Sequence, residues 1–165
     1  MNTIGVDSGL SGAFAVIDAA GDLVAIGDLP VMGEGAQRRI DAANLAHLVR
    51  AYLPATVAIE HVAARPGQGV SSMFRFGQAV GVIAGVAAAL GTPIEWISPA
   101  RWKKAAGLGS DKELSRLRAI DAWPQQARLF SRRKDHNRAE AALIAAWHRK
   151  HGRMSTGSDI GGVNG

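Results

Sequence analysis

A chain of 165 residues, 47% of them apolar, is long enough for one domain with an ordinary core. It has no cysteine, which excludes a disulfide framework and a thiolate metal site. The net charge of +5 is unevenly spread: residues 1–98 hold 5 Lys/Arg against 8 Asp/Glu, and residues 99–153 hold 14 against 5. That basic third fits a polyanionic partner and equally a solvated helix surface; charge alone does not separate the two. The N-terminus lacks a basic stretch followed by an apolar run, and the longest apolar run, Ala79 to Leu90, is short for a bilayer and contains Gly81 and Gly85. A soluble intracellular protein without a membrane partner is expected.

Taken in order, Thr3 to Asp7 alternates Ile4 and Val6 with small or polar residues, turns at Gly9-Leu10-Ser11-Gly12, and returns as Ala13 to Ile17. Asp7 then ends a strand on the face that otherwise carries only Thr3 and Gly5. Ala20-Gly21-Asp22 turns into a third strand, Leu23 to Leu29, giving an antiparallel meander. Pro30 to Arg39 reads as a glycine-rich mobile loop. Asp41 is a candidate N-cap for a helix to Leu53, with Leu45, Leu48, Val49 and Tyr52 along one side and Pro54 as its stop. Thr56 to Val62 is a fourth strand on which Glu60 shares its face with Ala58, as Asp7 does with Gly5. If the two strands are parallel neighbours, their carboxylates converge.

Beyond the loop Ala63 to Val70, a helix from Ser71 or Ser72 to about Leu90 carries Gly77, Gly81 and Gly85 at four-residue spacing. That ridge admits another backbone, from the same subunit or from a partner. A fifth strand, Ile94 to Ile97, leads into a short helix, Ala100 to Ala106, then a helix from Lys112 to Trp123 and a basic connection from Arg128 to Lys134. A last helix spans about Asn137 to Lys150. One domain over 1–152 and a disordered tail over 153–165 are expected. The order predicts an α/β protein of RNase H-like fold. Its five-stranded mixed sheet joins a three-strand meander to two parallel strands, with helices on both faces.

The start of the last helix carries the chemistry. His136 and Glu140 lie four apart on one face, Asp135 just precedes them, and Asn137 with Glu140 also matches a capping box. Alanines at 139, 141, 142, 145 and 146 make this helix slim enough to press on the Gly5/Ala58 face. Asp135, His136 and Glu140 would then stand over Asp7 and Glu60. Such a cluster repels itself unless cations neutralise it, and oxygen ligands with at most one imidazole suit Mg²⁺ or Mn²⁺. Two ions roughly 3.5–4 Å apart would suit phosphodiester displacement.

With these residues the chain resembles RuvC-type Holliday-junction resolvases of the bacteriophage-related branch, over almost all of residues 3–151. The resemblance rests on Ile4 to Gly12, Val57 to Val62, Arg65 to Gly69 with Met73 to Gln78, Pro99 to Lys104, and Asp135 to Ala145. It implies a homodimeric, metal-dependent endodeoxyribonuclease that resolves four-way DNA junctions in the cytoplasm of a bacterial or phage-infected cell, with two ions per site. Asp7, Glu60 and Glu140 match the family's acids. Such resolvases often place a further acid three or four residues before the last one, where His136 and Asn137 stand here. Either His136 or Asp135 supplies that ligand. Lys103 and Lys112 align with basic residues near the scissile phosphate, and Arg65, Arg75, Arg101, Lys104 and Arg116 are candidate backbone contacts. The family's aromatic after the fourth-strand glutamate is replaced near Ala63, so Phe74 or Phe76 stands in for it or belongs to the core.

Three other readings compete. The first is an RNase H-like nuclease for flaps, branched DNA or RNA–DNA hybrids. The second is an actin-like phosphotransferase, which Asp7-Ser8-Gly9 also suits but which needs two such domains. The third is a junction-binding protein with little or no catalysis.

Overall fold

The computed structural model describes residues 1–61, 67, 69–109 and 111–152. Five strands form one sheet: β1 (Asn2–Asp7), β2 (Ala13–Ile17), β3 (Leu23–Asp28), β6 (Pro54–Glu60) and β7 (Ile94–Ile97), in the order β3-β2-β1-β6-β7. β1, β2 and β3 pair antiparallel; β6 and β7 join parallel to β1. This is the mixed sheet that the hydrophobic alternation predicts.

The period-two pattern sorts the side chains between two cores. Ile4, Val6, Val16, Val57 and Ile59 face α1 (Ala42–Tyr52) and α2 (Val70–Ala89). Ala13, Ala15, Ile17 and Ala58 face α3 (Pro99–Ala105), α4 (Lys112–Ala122) and α5 (His136–His151). Helices therefore cover both faces. The second face is lined by small residues, which lets α5 lie close to the sheet. Full burial of Ile144 and Ala145 on α5, at roughly 1.5–3 kcal/mol for a side chain the size of isoleucine, anchors that helix.

Local signals set the boundaries. Asp41 accepts a hydrogen bond from the Asn44 N–H and so caps α1. Leu53 ends that helix in the left-handed region, at φ 44°, and Pro54 opens β6 directly. Pro99 occupies the first turn of α3, where a missing N–H costs nothing.

One expectation changes. The segment expected as a mobile loop holds a small antiparallel pair, β4 (Val31–Met32) with β5 (Arg39–Ile40), anchored because Ile40 of the pair and Leu29 just before it are buried in the core. Helix α2 falls where the sequence places it, within about a residue at each end. With 20 residues and a mean hydropathy of 1.3, it is long and apolar enough by composition to cross a membrane. Here it lies along the domain, with Ala79, Ile83 and Ala87 buried against the sheet side. Gly77, Gly81 and Gly85 point the other way, with no described atom within 4 Å of where a Cβ would stand.

Candidate metal centre

Parallel pairing of β1 with β6, with Val6 opposite Ile59, brings Asp7 and Glu60 side by side at the carboxyl ends of the two strands. Gly5 and Ala58, one register step earlier, leave the space that α5 fills. A Cβ at Gly5 would overlap the carbonyl oxygen of Ala141 and stand 2.6 Å from the nitrogen of Ala145. The approach is backbone to backbone, and it places Glu140 above the strand ends.

Asp7, Glu60 and Glu140 each offer a carboxylate oxygen within 4.8 Å of the others. Glu60 and Glu140 are buried and Asp7 is half-buried. Two full charges at that separation repel by roughly 3–4 kcal/mol at an effective dielectric near 20. The protein supplies partial compensation. Lys103 Nζ lies 3.2 Å from Glu140 Oε1, the Ser115 hydroxyl donates to the same oxygen at 3.2 Å, and the Trp102 indole N–H donates to Glu60 Oε1 at 2.9 Å. The three carboxylates make the site oxygen-lined and acidic. That donor set fits a hard divalent cation.

The other expected site residues are placed as follows. Asp135 is fully buried but does not join the three acids. Its carboxylate accepts from the Arg132 backbone N–H at 2.9 Å and from the Arg132 guanidinium at 2.8 Å, with Arg138 3.9 Å away. Burial pushes its pKa upward, but these bonds and charges outweigh it and hold the carboxyl below its ordinary value. His136 is half-buried one turn before Glu140, with Nδ1 3.0 Å from the Arg133 carbonyl oxygen. Asn137 donates to the Ser11 carbonyl oxygen at 2.6 Å rather than facing the acids.

Among the basic candidates, Arg75, Arg101 and Lys104 are exposed, and Arg101 lies 5.8 Å over the Trp147 ring. Arg116 is turned inward instead. Its guanidinium pairs with Glu113 and donates to the Phe130 carbonyl oxygen at 2.7 Å, tying α4 to the segment that follows it. Lys112 is the first residue of α4, but its side chain lies outside the described residues, as do Arg65, Ala63 and the tail from 153. Phe74 is 71% exposed, whereas Phe76 is half-buried beside Glu60 and Trp96 in a cavity of about 550 Å³. Trp102 and Ser115 were not foreseen as site residues. Each bonds a carboxylate far along the chain, and no local pattern signals such a partner.

No protein-family model matches the chain. It is 35% identical over 91 residues to the chloroplastic Holliday junction resolvase MOC1 of Chlamydomonas reinhardtii, covering 50% of this chain and 10% of that one. The chain thus spans about a tenth of the length of the curated relative it matches. Among solved structures, Thermus thermophilus RuvC in complex with a Holliday junction substrate superposes with a TM-score of 0.71 at 20% identity, covering 94% of this chain and 97% of that one. The yeast mitochondrial Holliday junction resolvase Ydc2 superposes with a TM-score of 0.54 at 16% identity, covering 89% and 77%. The fold is that of the RuvC-type resolvases, an RNase H-like sheet with its helices.

Proposed function

We propose that this chain is a metal-dependent endodeoxyribonuclease that resolves four-way DNA junctions as a homodimer. The observation that carries the reading is the meeting of Asp7, Glu60 and Glu140 within 4.8 Å at the end of a RuvC-type sheet. The sequence similarity to a named junction resolvase over half the chain supports the choice of substrate.

In this reading Asp7, Glu60 and Glu140 hold the metal, with His136 as the fourth ligand because Asp135 is engaged by Arg132. These residues would hold Mg²⁺ or Mn²⁺, two ions per site, whose chemistry there would be to lower the pKa of the attacking water and to stabilise the leaving oxygen. The chain's own residues do the rest. Lys103, which holds Glu140 at 3.2 Å and is only partly buried, is close enough to meet an incoming phosphate. Lys112, the first residue of the next helix, is assigned the same role from its place in the sequence. The exposed Arg75, Arg101 and Lys104, with Arg65, grip the sugar–phosphate backbone, so affinity falls steeply with salt.

The open face of α2 supports the dimer. Its Gly77, Gly81 and Gly85 stripe has no described neighbour, while Val70 and Phe74 on the same helix are exposed apolar side chains. A second copy of α2 against that stripe would cover it and set two sites on one junction. The setting is the cytoplasm of a bacterial or phage-infected cell.

The test is cleavage of a labelled four-way junction with Mg²⁺, beside a flap, a linear duplex and an RNA–DNA hybrid, with Asp7→Asn as control. Symmetric nicks in the junction, lost in the variant, support the reading. Cutting of the flap or hybrid with the junction spared would overturn it.

A further inference from the structure

Helix α3 is short, seven residues, and begins at Pro99 directly after β7. Its position sends consecutive side chains to two walls of the acidic site, because neighbouring helical residues point about 100° apart. Trp102 is fully buried and its indole N–H meets Glu60 on β6; Lys103 meets Glu140 on α5. From α4, the buried Ser115 hydroxyl shares Glu140 Oε1 with Lys103.

A buried indole N–H needs an acceptor, and a backbone carbonyl usually suffices. Trp123 in this chain takes that option, donating to the Gly21 carbonyl oxygen at 3.1 Å. Trp102 instead reaches a carboxylate 42 residues away in sequence. Hydrogen bonds to an ionised acceptor are roughly twice as strong as neutral ones and fix the acceptor's rotamer. Hydrogen bonds from neutral donors to ligating carboxylates orient them, and their loss typically weakens metal affinity by about 10–100-fold.

We infer that Trp102 and Ser115 are positioning residues for the metal centre: each holds one carboxylate, Glu60 or Glu140, in the orientation that a divalent ion requires. The inference rests on reading the three acids as a metal site. Its reach is wider than packing, since it makes α3 and α4, the start of the basic third of the chain, part of the metal-binding apparatus.

The experiment is Mn²⁺ binding by calorimetry to the full chain, paired with the Mg²⁺ dependence of junction cleavage. The variants are Trp102→Phe, Ser115→Ala and, as a matched loss of a buried indole donor away from the site, Trp123→Phe. Trp102→Phe and Ser115→Ala are expected to weaken Mn²⁺ binding by about 10-fold or more and to raise the half-saturating Mg²⁺ concentration, with kcat largely recovered at saturating metal. Trp123→Phe should lower thermal stability and leave Mn²⁺ affinity alone. If Trp102→Phe fails to fold, Ser115→Ala, a smaller change, carries the comparison. Mn²⁺ affinity unchanged in both site variants, with normal binding by the wild type, overturns the inference and leaves the metal-centre reading intact. A wild-type chain that binds no Mn²⁺ overturns both.

Discussion

Gly5 on β1 and Ala141 on α5 meet backbone against backbone, so closely that no side chain fits between them. This contact decides whether a helix can bring Glu140 over a sheet that already holds Asp7 and Glu60. Gly5→Ala forces a methyl against a carbonyl oxygen that cannot rotate away. A loss of about 3 kcal/mol is expected, the upper part of the usual overpacking range. For a chain of this size that lowers Tm by roughly 6–12 °C. Thermal denaturation checks it, and an unchanged Tm would mean that α5 does not sit where the structure places it.

Asp135 and Arg132 supply the second test. The ion pair at 2.8 Å and the backbone bond at 2.9 Å make Asp135 a clamp on the entry to α5. Asp135→Asn should cost about 2 kcal/mol of stability, the usual value for bonds to a charged group. Calorimetric Mn²⁺ affinity should be retained. A variant that keeps its stability and loses Mn²⁺ binding would make Asp135 a ligand instead.

The glycine stripe of α2 is tested by a change that the isolated subunit tolerates. No described atom lies within 4 Å of a Cβ at Gly81, so Gly81→Glu leaves the fold of one chain intact. Sedimentation should show a dimer for the wild type and a monomer for the variant. A variant that stays dimeric would place the interface elsewhere.

Acid dependence follows from Asp28 and Arg138. The hydrogen bond from Arg138, at 2.7 Å, outweighs burial and holds the Asp28 carboxyl below its ordinary value of 3.8. A pKa lower in the folded state than in the unfolded one stabilises the fold above about the unfolded value. That contribution disappears as pH falls through the folded value. With Asp28 largely exposed, the gain is below about 1 kcal/mol. Asp28→Asn should therefore lower Tm slightly at pH 7, and the gap should close in acid. A gap that widens on acidification contradicts the pairing.

Much of this site was legible in the sequence, because two-residue alternation assigns faces. Gly5 with Asp7, and Ala58 with Glu60, marked the side on which α5 packs, and the alanines of α5 marked that helix as the partner. Asp41 as a helix cap was equally readable, since a cap bonds only three residues ahead. What escaped lacked a local signature. The β4–β5 pair is two residues long on each side, too short for a period. The sequence places Arg116 on a basic helix, but only tertiary packing turns it toward Phe130. Trp102 and Ser115 meet their carboxylates across 42 and 25 residues, a relation that only the packing of α3 and α4 creates.

The central claim is paired cutting of a junction by two such sites, and a supercoiled plasmid that extrudes a cruciform tests it directly. In Mg²⁺, two coordinated cuts within one bound complex convert the plasmid to linear product, and Asp7→Asn leaves it supercoiled. That is the result predicted here. Relaxed circles without linear product, or no cutting at all by the wild-type chain, would contradict it.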